Sequence, residues 1–237
     1  LVHVVGSPDH IYRHDHGPTD DHHQESAQFA CERSLPADSV SFQALIMSFE
    51  RSGVKVCSIV MEFSQDQKHV VQTIRMTNGD IEHVIEVAAE PIENGIRVVG
   101  RYIGGSLKVE TDSVVVNWPV RYECPNEFDP GHVAIGDGRI EIAIPELRCI
   151  GLGSLFMAFI VHWIRAKPCV PVDSILLKGD DALTVEAKES RNRFYEKFGF
   201  VFDYKEDRSW GSSRTMYSGQ LREPCLKFPQ GWDVTNV

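Results

Sequence analysis

The hydrophobic and polar positions follow two different periods along the chain. From residue 54 to residue 122, apolar residues rich in Val and Ile alternate with polar ones, a pattern typical of β-strands. It predicts strands over 54–63, 69–76, 81–89, 96–103 and 114–122. Turn sequences such as Asn78-Gly79 and Asn94-Gly95 separate these strands. Such short gaps predict antiparallel hairpins.

Helical spacing is found on both sides of these strands. Asp38 is a candidate N-cap, and Phe42, Leu45 and Phe49 recur at intervals of three and four residues, which predicts a helix over 38–52. After a loop over 124–138, the pattern predicts a strand over 139–144, a helix over 154–166, a strand over 174–178, a helix over 185–198 and strands over 200–204 and 215–221. The expected fold class is α+β, with a mixed, mainly antiparallel sheet flanked by helices.

The N-terminal region differs from the rest in composition. Residues 1–23 contain six of the ten His of the chain and show no hydrophobic period, which predicts a mobile arm. Imidazole and carboxylate groups also suit divalent metals, but His14 and His16 lack the i, i+4 spacing of a preformed pair, and we assign no metal ligand. We expect three regions: an arm over 1–35, a helix and strands over 36–138, and a ligand-binding half over 139–228.

Charge and composition argue against several classes of protein. The chain has 24 Lys and Arg against 34 Asp and Glu, a net charge of −10, which argues against nucleic acid or an anionic membrane as partner. The longest apolar run, over 152–164, is shorter than the ~20 residues of a membrane span. The six Cys form no Cys-x-x-Cys pair. They predict free, largely buried thiols and a cytoplasmic location.

The turn that follows the predicted strand 139–144 carries the candidate chemistry. It reads Arg148-Cys149-Ile150-Gly151-Leu152-Gly153 and leads directly into a helix. Glycine lets the backbone turn tightly and approach a ligand, and the free N–H groups of a helix start attract phosphate. The sequence therefore predicts a diphosphate site. The residues predicted to bind the diphosphate are Arg148, Cys149, Ile150, Gly151, Leu152, Gly153 and Ser154.

A second block, Asn192-Arg193-Phe194-Tyr195-Glu196-Lys197-Phe198-Gly199-Phe200, follows in the predicted late helix. Together the two blocks resemble the Gcn5-related N-acetyltransferase family, over about residues 139–221. The resemblance implies a fold of that family with extra N-terminal strands, and acetyl-CoA as cofactor. It also implies transfer of acetyl to an amine on a small molecule or protein. Ile150 and Lys188 depart from the family pattern.

The resemblance also implies roles for individual residues. Tyr195 takes the position of the acid that protonates the CoA thiolate, and Glu141 is the candidate base. Backbone N–H groups of 143–147 would hold the pantetheine arm and thioester oxygen, and those of 149–154 the pyrophosphate. The resemblance thus adds Ile142, Ala143 and Ile144 to the expected cofactor-binding residues. The acidic chain favours a cationic acceptor. Two alternatives stay open: a non-catalytic binding module of the same fold, and a toxin that acetylates aminoacyl-tRNA. The oligomeric state is also open.

Overall fold

A computed structural model describes residues 43–51, 54–63, 70–136, 140–223, 226 and 228–237, with side chains from residue 72 onward. Within these ranges the fold is mixed α+β, with a large, mainly antiparallel sheet and two α-helices. The predicted N-terminal arm and residues 38–42 of the predicted helix lie outside the described residues. None of the helices in the described ranges combines the length and apolarity needed to cross a membrane.

The first two described strands form a hairpin of their own. Strand β1 (Gln43–Arg51) pairs antiparallel with β2 (Val54–Phe63), in a register from Gln43 opposite Phe63 to Arg51 opposite Val54. The helix predicted over 38–52 is therefore wrong for residues 43–51. The run from Ala44 to Met47 is apolar at every position and fits a helix or a strand equally well. The neighbouring β2, only two residues away, offers a complete set of backbone partners.

Four long strands confirm the predicted meander. They are β3 (Val70–Asn78), β4 (Ile81–Ile92), β5 (Gly95–Gly105) and β6 (Ser113–Glu123), and each pairs antiparallel with the next. Alternate residues of β4 are buried, among them His83, Ile85 and Val87. The period of two thus reports a sheet with one face turned to the core.

Seven shorter strands complete the sheets: β7 (His132–Ile135), β8 (Pro171–Val172), β9 (Leu176–Leu177), β10 (Phe202–Tyr204), β11 (Gly211–Ser213), β12 (Met216–Tyr217) and β13 (Asp233–Asn236). The main sheet has the order β12-β8-β7-β6-β5-β4-β3-β13, and β9, β10 and β11 form a separate sheet. The pair β7–β8 is parallel, and the other ladders are antiparallel. The predicted loop 124–138 thus contains a strand, and the predicted strand 174–178 is reduced to β9.

Both predicted helices of the second half are confirmed. Helix α1 (Leu152–Arg165) is almost wholly buried, and helix α2 (Val185–Glu196) buries only Asn192 and Tyr195. Helix α1 packs closely on the meander, because a Cβ added to Gly100 on β5 would lie 2.7 Å from Cζ of Phe156. At α2, the hydroxyl of Thr184 accepts a hydrogen bond of 3.1 Å from the N–H of Ala187 and caps the helix.

The strand predicted over 139–144 is not a strand in the structure. Residues 140–144 lie beside β6 with a bend at 143–144, and among the described residues one backbone hydrogen bond, of 2.9 Å from Ala143 N–H to Val115 C=O, joins them to it. The alternation itself holds, since Ile142 and Ile144 are buried whereas Glu141 is exposed. Pro145 follows directly, and its missing N–H stops a ladder from continuing.

Candidate functional site

Strands β7 and β8 lie side by side in the main sheet. These parallel strands pair through Val133 and Val172, and the N–H of Asp173 donates to the C=O of Val133 at 2.9 Å. The chain segments that follow β7 and β8 have different partners. Residues 140–144 stay beside β6, whereas β9 pairs with β11 in the smaller sheet. The turn that precedes α1 comes directly after residues 140–144 and the short helical turn Pro145–Leu147.

The turn holds a run of unused backbone donors. Its conformation is set by two left-handed residues, Cys149 with φ 62° and Gly151 with φ 97°. The N–H groups of residues 149–153 donate no hydrogen bond to any group in the described part of the chain. Successive N–H groups in such turns form concave anion sites, and the dipole of α1 adds to the attraction.

Lys197 brings a positive charge to the same place, a contact that sequence reasoning missed. Its Nζ donates a hydrogen bond to Oγ of Ser154 in the first turn of α1, and it lies 5.3 Å from the ring centroids of Phe194 and Phe198. Burial against these rings lowers the pKa of Lys197. A cation at a helix N-terminus opposes the helix dipole. An anion bound to the free N–H groups would remove this conflict.

The available signal for Lys197 was its position two residues after Tyr195 in the late-helix block. The resemblance directed attention to Tyr195 and to the turn itself. Ile150, which stands where the family has a basic residue, is 9 % exposed and belongs to the core. Lys197, the residue after α2, brings its positive charge to the turn through a contact that only the folded chain makes.

Arg148 is oriented differently from the prediction. Its Nε donates to the C=O of Ile142 at 2.8 Å, so that the guanidinium group folds back along residues 140–144. Leu152, with no exposure, serves the core through its side chain. The exposed Cys149 takes part in the turn through its backbone.

Packing as well as backbone conformation requires glycine in this turn. A Cβ added to Gly151 would lie 2.5 Å from the ring of Phe228, and one added to Gly153 would lie 3.4 Å from the ring of Phe194. Phe228, from the C-terminal segment, thus covers one side of the turn. A side chain at position 151 would disturb both the φ of 97° and this contact.

The backbone groups proposed for the pantetheine arm are only partly available. The N–H of Ala143 donates to Val115 and that of Leu147 to Ile144, at 2.9 and 3.1 Å. Pro145 has no N–H. Within 143–147, the donors left without a partner in the described chain are therefore Ile144 and Glu146. The prediction that the whole segment offers N–H groups is wrong.

Tyr195 lies in an aromatic cluster between α2 and β10. It is 8 % exposed, and its ring centroid is 5.1 Å from Phe194, 6.0 Å from Phe200 and 5.9 Å from Phe202. Burial, with the negative charge of Asp181, raises the pKa of Tyr195 to about 12. The phenol is therefore protonated at neutral pH and can donate a hydrogen bond.

Other predicted positions are placed on the surface or in structural roles. Glu141 is exposed on the segment beside β6, and its backbone C=O accepts a bond of 3.1 Å from Nε1 of Trp118. Lys188 pairs with Asp207 at 3.5 Å. Asn192 is 2 % exposed and donates to the C=O of Arg208 at 3.1 Å, which ties α2 to the loop before β11.

The prediction of buried thiols is wrong for the three Cys whose side chains are described. Cys124, Cys149 and Cys169 are free and exposed, and the other three lie outside the described side chains. All three exposed Cys lie in turns or at strand ends, where the period gave no burial signal. Among the described residues no group of three His, Cys, Asp or Glu is placed to hold a metal ion.

Comparison with known proteins gives no relative. No protein-family model, no curated protein and no solved structure matches the chain. The geometry above is therefore the basis for any functional conclusion.

Proposed function

We propose that the protein is an acetyl-CoA-dependent N-acetyltransferase with a fold like that of the Gcn5-related family. The observation that carries the proposal is the run of unused N–H groups over 149–153 at the start of α1, with Lys197 beside it. A polyanionic cofactor suits this arrangement because it accepts hydrogen bonds from the N–H groups and balances the ammonium group.

The order of elements supports the proposal. The segment 140–144, a glycine turn, α1, a parallel strand, α2 and an antiparallel strand pair follow one another in the order that the resemblance implies. The N–H groups of Ile144 and Glu146 are the donors that would hold the pantetheine arm.

Acetyl-CoA would supply an acetyl group activated as a thioester. The chain's own residues must accept a proton from the amine and stabilise the departing thiolate. Tyr195, with a pKa of about 12, is a weaker acid than a thiol, whose ordinary pKa is about 8.5. It would therefore act by donating a hydrogen bond to the developing thiolate. Glu141, exposed beside β6, would accept the amine proton through water.

A second candidate is a non-catalytic module of the same fold. It is favoured by the engaged N–H groups of Ala143 and Leu147 and by the high pKa of Tyr195. Incubation with acetyl-CoA and a panel of amines, read by release of free thiol, separates the two. Thiol release that depends on the amine supports the transferase. Cofactor binding without thiol release supports the module.

Calorimetry with acetyl-CoA tests the site. Gly151→Asp is expected to abolish binding, because it places a negative charge and extra atoms against the phosphates. Gly79→Asp is the matched control: Gly79 also has a positive φ, of 58°, but no atom lies within 4 Å of an added Cβ.

Gly151→Asp also meets Phe228, so a second variant must leave the turn unchanged. Lys197→Gln is expected to weaken acetyl-CoA binding about tenfold, in the range of one charge-assisted hydrogen bond. Lys108→Gln, at an exposed position, is its control. Absence of binding heat with the unmodified protein would remove the proposal altogether.

A further inference from the structure

A cleft of about 300 Å³ opens beside the residues that follow α2. The residues that line it are Gly199, Val201, Arg214, Thr215, Met216, Gln220 and Arg222. None of these lining residues is acidic, although acidic residues outnumber basic ones by 34 to 24 in the chain. The cleft is therefore a locally positive place on an acidic protein, which favours an anionic ligand.

Arg222 is the main charge in the cleft. Its N–H donates to the C=O of Phe198 at 2.9 Å, which fixes its backbone, and its Cγ would lie 3.4 Å from a Cβ added to Gly199. The side chain thus lies across Gly199, where glycine leaves room for it. Its guanidinium group makes no ion pair with any residue in the described ranges.

The other polar groups contribute donors but little net charge. Arg214 donates from Nε and Nη2 to Oδ1 of Asp203, at 2.9 and 2.7 Å, so that its charge is balanced. The Oε1 of Gln220 accepts from the N–H of Tyr217 at 2.7 Å, which leaves the amide NH₂ of Gln220 as a donor. One uncompensated positive charge with several donors matches a single carboxylate better than a dianion.

The size and the remaining walls restrict the ligand further. A volume of about 300 Å³ is at the lower end of the ~300–1,000 Å³ found for small-molecule sites. Met216, which is 7 % exposed, and Val201 supply apolar surface beside the charged group. We infer that this cleft binds a small free monocarboxylic acid with a short aliphatic tail, held by Arg222. This inference does not depend on the proposed acetyl transfer.

Titration of the ¹⁵N-labelled protein with sodium butyrate, followed by amide resonances, tests the inference. We expect saturable shifts centred on Gly199, Thr215 and Gln220. Arg222→Gln is expected to lower butyrate affinity about tenfold or more, since a charge-assisted pair becomes a neutral hydrogen bond. Arg97→Gln, at an exposed position on β5, should leave the affinity unchanged.

Three further ligands define the specificity. Butanamide, a neutral analogue of butyrate, should produce no saturable shift. Inorganic phosphate and N-acetyl-glycyl-valine, a peptide carboxylate, should bind more weakly than butyrate. Tighter binding of phosphate would overturn the assignment to a monocarboxylate, and tighter binding of the peptide would overturn the assignment to a free small acid. Shifts that do not saturate, or that are equal in Arg222→Gln, would show that the cleft is not a site.

Discussion

The meander β3–β6 and the segment 140–204 differ in how their backbone polar groups are satisfied. The four strands of the meander have nine to twelve residues each and pair over nearly their full length. In the segment 140–204 the strands have two or three residues, and the N–H groups of 149–153 have no partner among the described residues. One region is a closed scaffold, whereas the other keeps open hydrogen-bonding capacity, which is the property a binding site needs.

The largest expected effect is on chemistry in the open region. Tyr195→Phe removes one hydroxyl and keeps the ring within its aromatic cluster, so folding should be preserved. We expect the acetyl-transfer rate to fall by ~10²–10³, the span for removing one hydrogen-bond donor to a developing negative charge, with little change in acetyl-CoA affinity. A lower affinity with an unchanged rate would mean that Tyr195 only positions the cofactor.

The next effect is on the stability of the scaffold. Gly100→Ala places a methyl group 2.7 Å from Cζ of Phe156, where β5 meets α1. Such overpacking typically costs ~1–3 kcal/mol, measurable by urea unfolding. Gly104→Ala on the same strand has nothing within 4 Å of the added Cβ and serves as control. Equal effects of the two substitutions would contradict close packing at Gly100.

The free energy of unfolding should also depend on pH, because of a buried histidine in the meander. Burial lowers the pKa of His83, which stacks on Trp232 at 5.4 Å. The unfolded chain therefore binds a proton that the folded chain resists, and the stability falls as the pH drops below about 6.5 toward the lowered folded pKa. The slope is up to ~1.4 kcal/mol per pH unit. His83→Gln should reduce the slope in unfolding experiments between pH 7 and 5, and an unchanged slope would assign it to other groups.

The smallest expected effect concerns the N-terminal cap of α2. Thr184→Ala removes the hydroxyl that caps Ala187 N–H and should cost ~1 kcal/mol. Thr184→Ser retains a capping oxygen and should cost less than half of that. If only the alanine variant also weakens acetyl-CoA binding, the cap helps to hold Lys197 in position.

The two regions also differ in how far the sequence predicts them. Alternation between turn signals located β3–β6 within three residues at either end, because long paired strands with one buried face leave that signal. Strands β7, β8 and β11 are too short to show a period, and they form because neighbouring strands offer partners. For residues 43–51, the local sequence fits a helix as well as a strand, and the pairing with β2 decides for the strand.

The candidate site also has some features that the sequence predicts and others that it does not. The glycines and the helix start were readable, since turn chemistry is local. The contact of Lys197 with Ser154, the cover of Phe228 on Gly151 and the engaged N–H groups of Ala143 and Leu147 depend on residues distant in sequence. Only the missing N–H of Pro145 could have been foreseen.

The C-terminal segment has a consequence for how the protein is made. Phe228 covers the turn at Gly151, and β13 pairs along β3. During synthesis both partners leave the ribosome long before the segment that covers them. Until residues 228–236 are translated, the outer edge of β3 presents unpaired N–H and C=O groups, which invite pairing with other chains. Strand β13 therefore protects the edge of β3 from pairing with other chains, and a chain truncated before Asp233 is expected to aggregate.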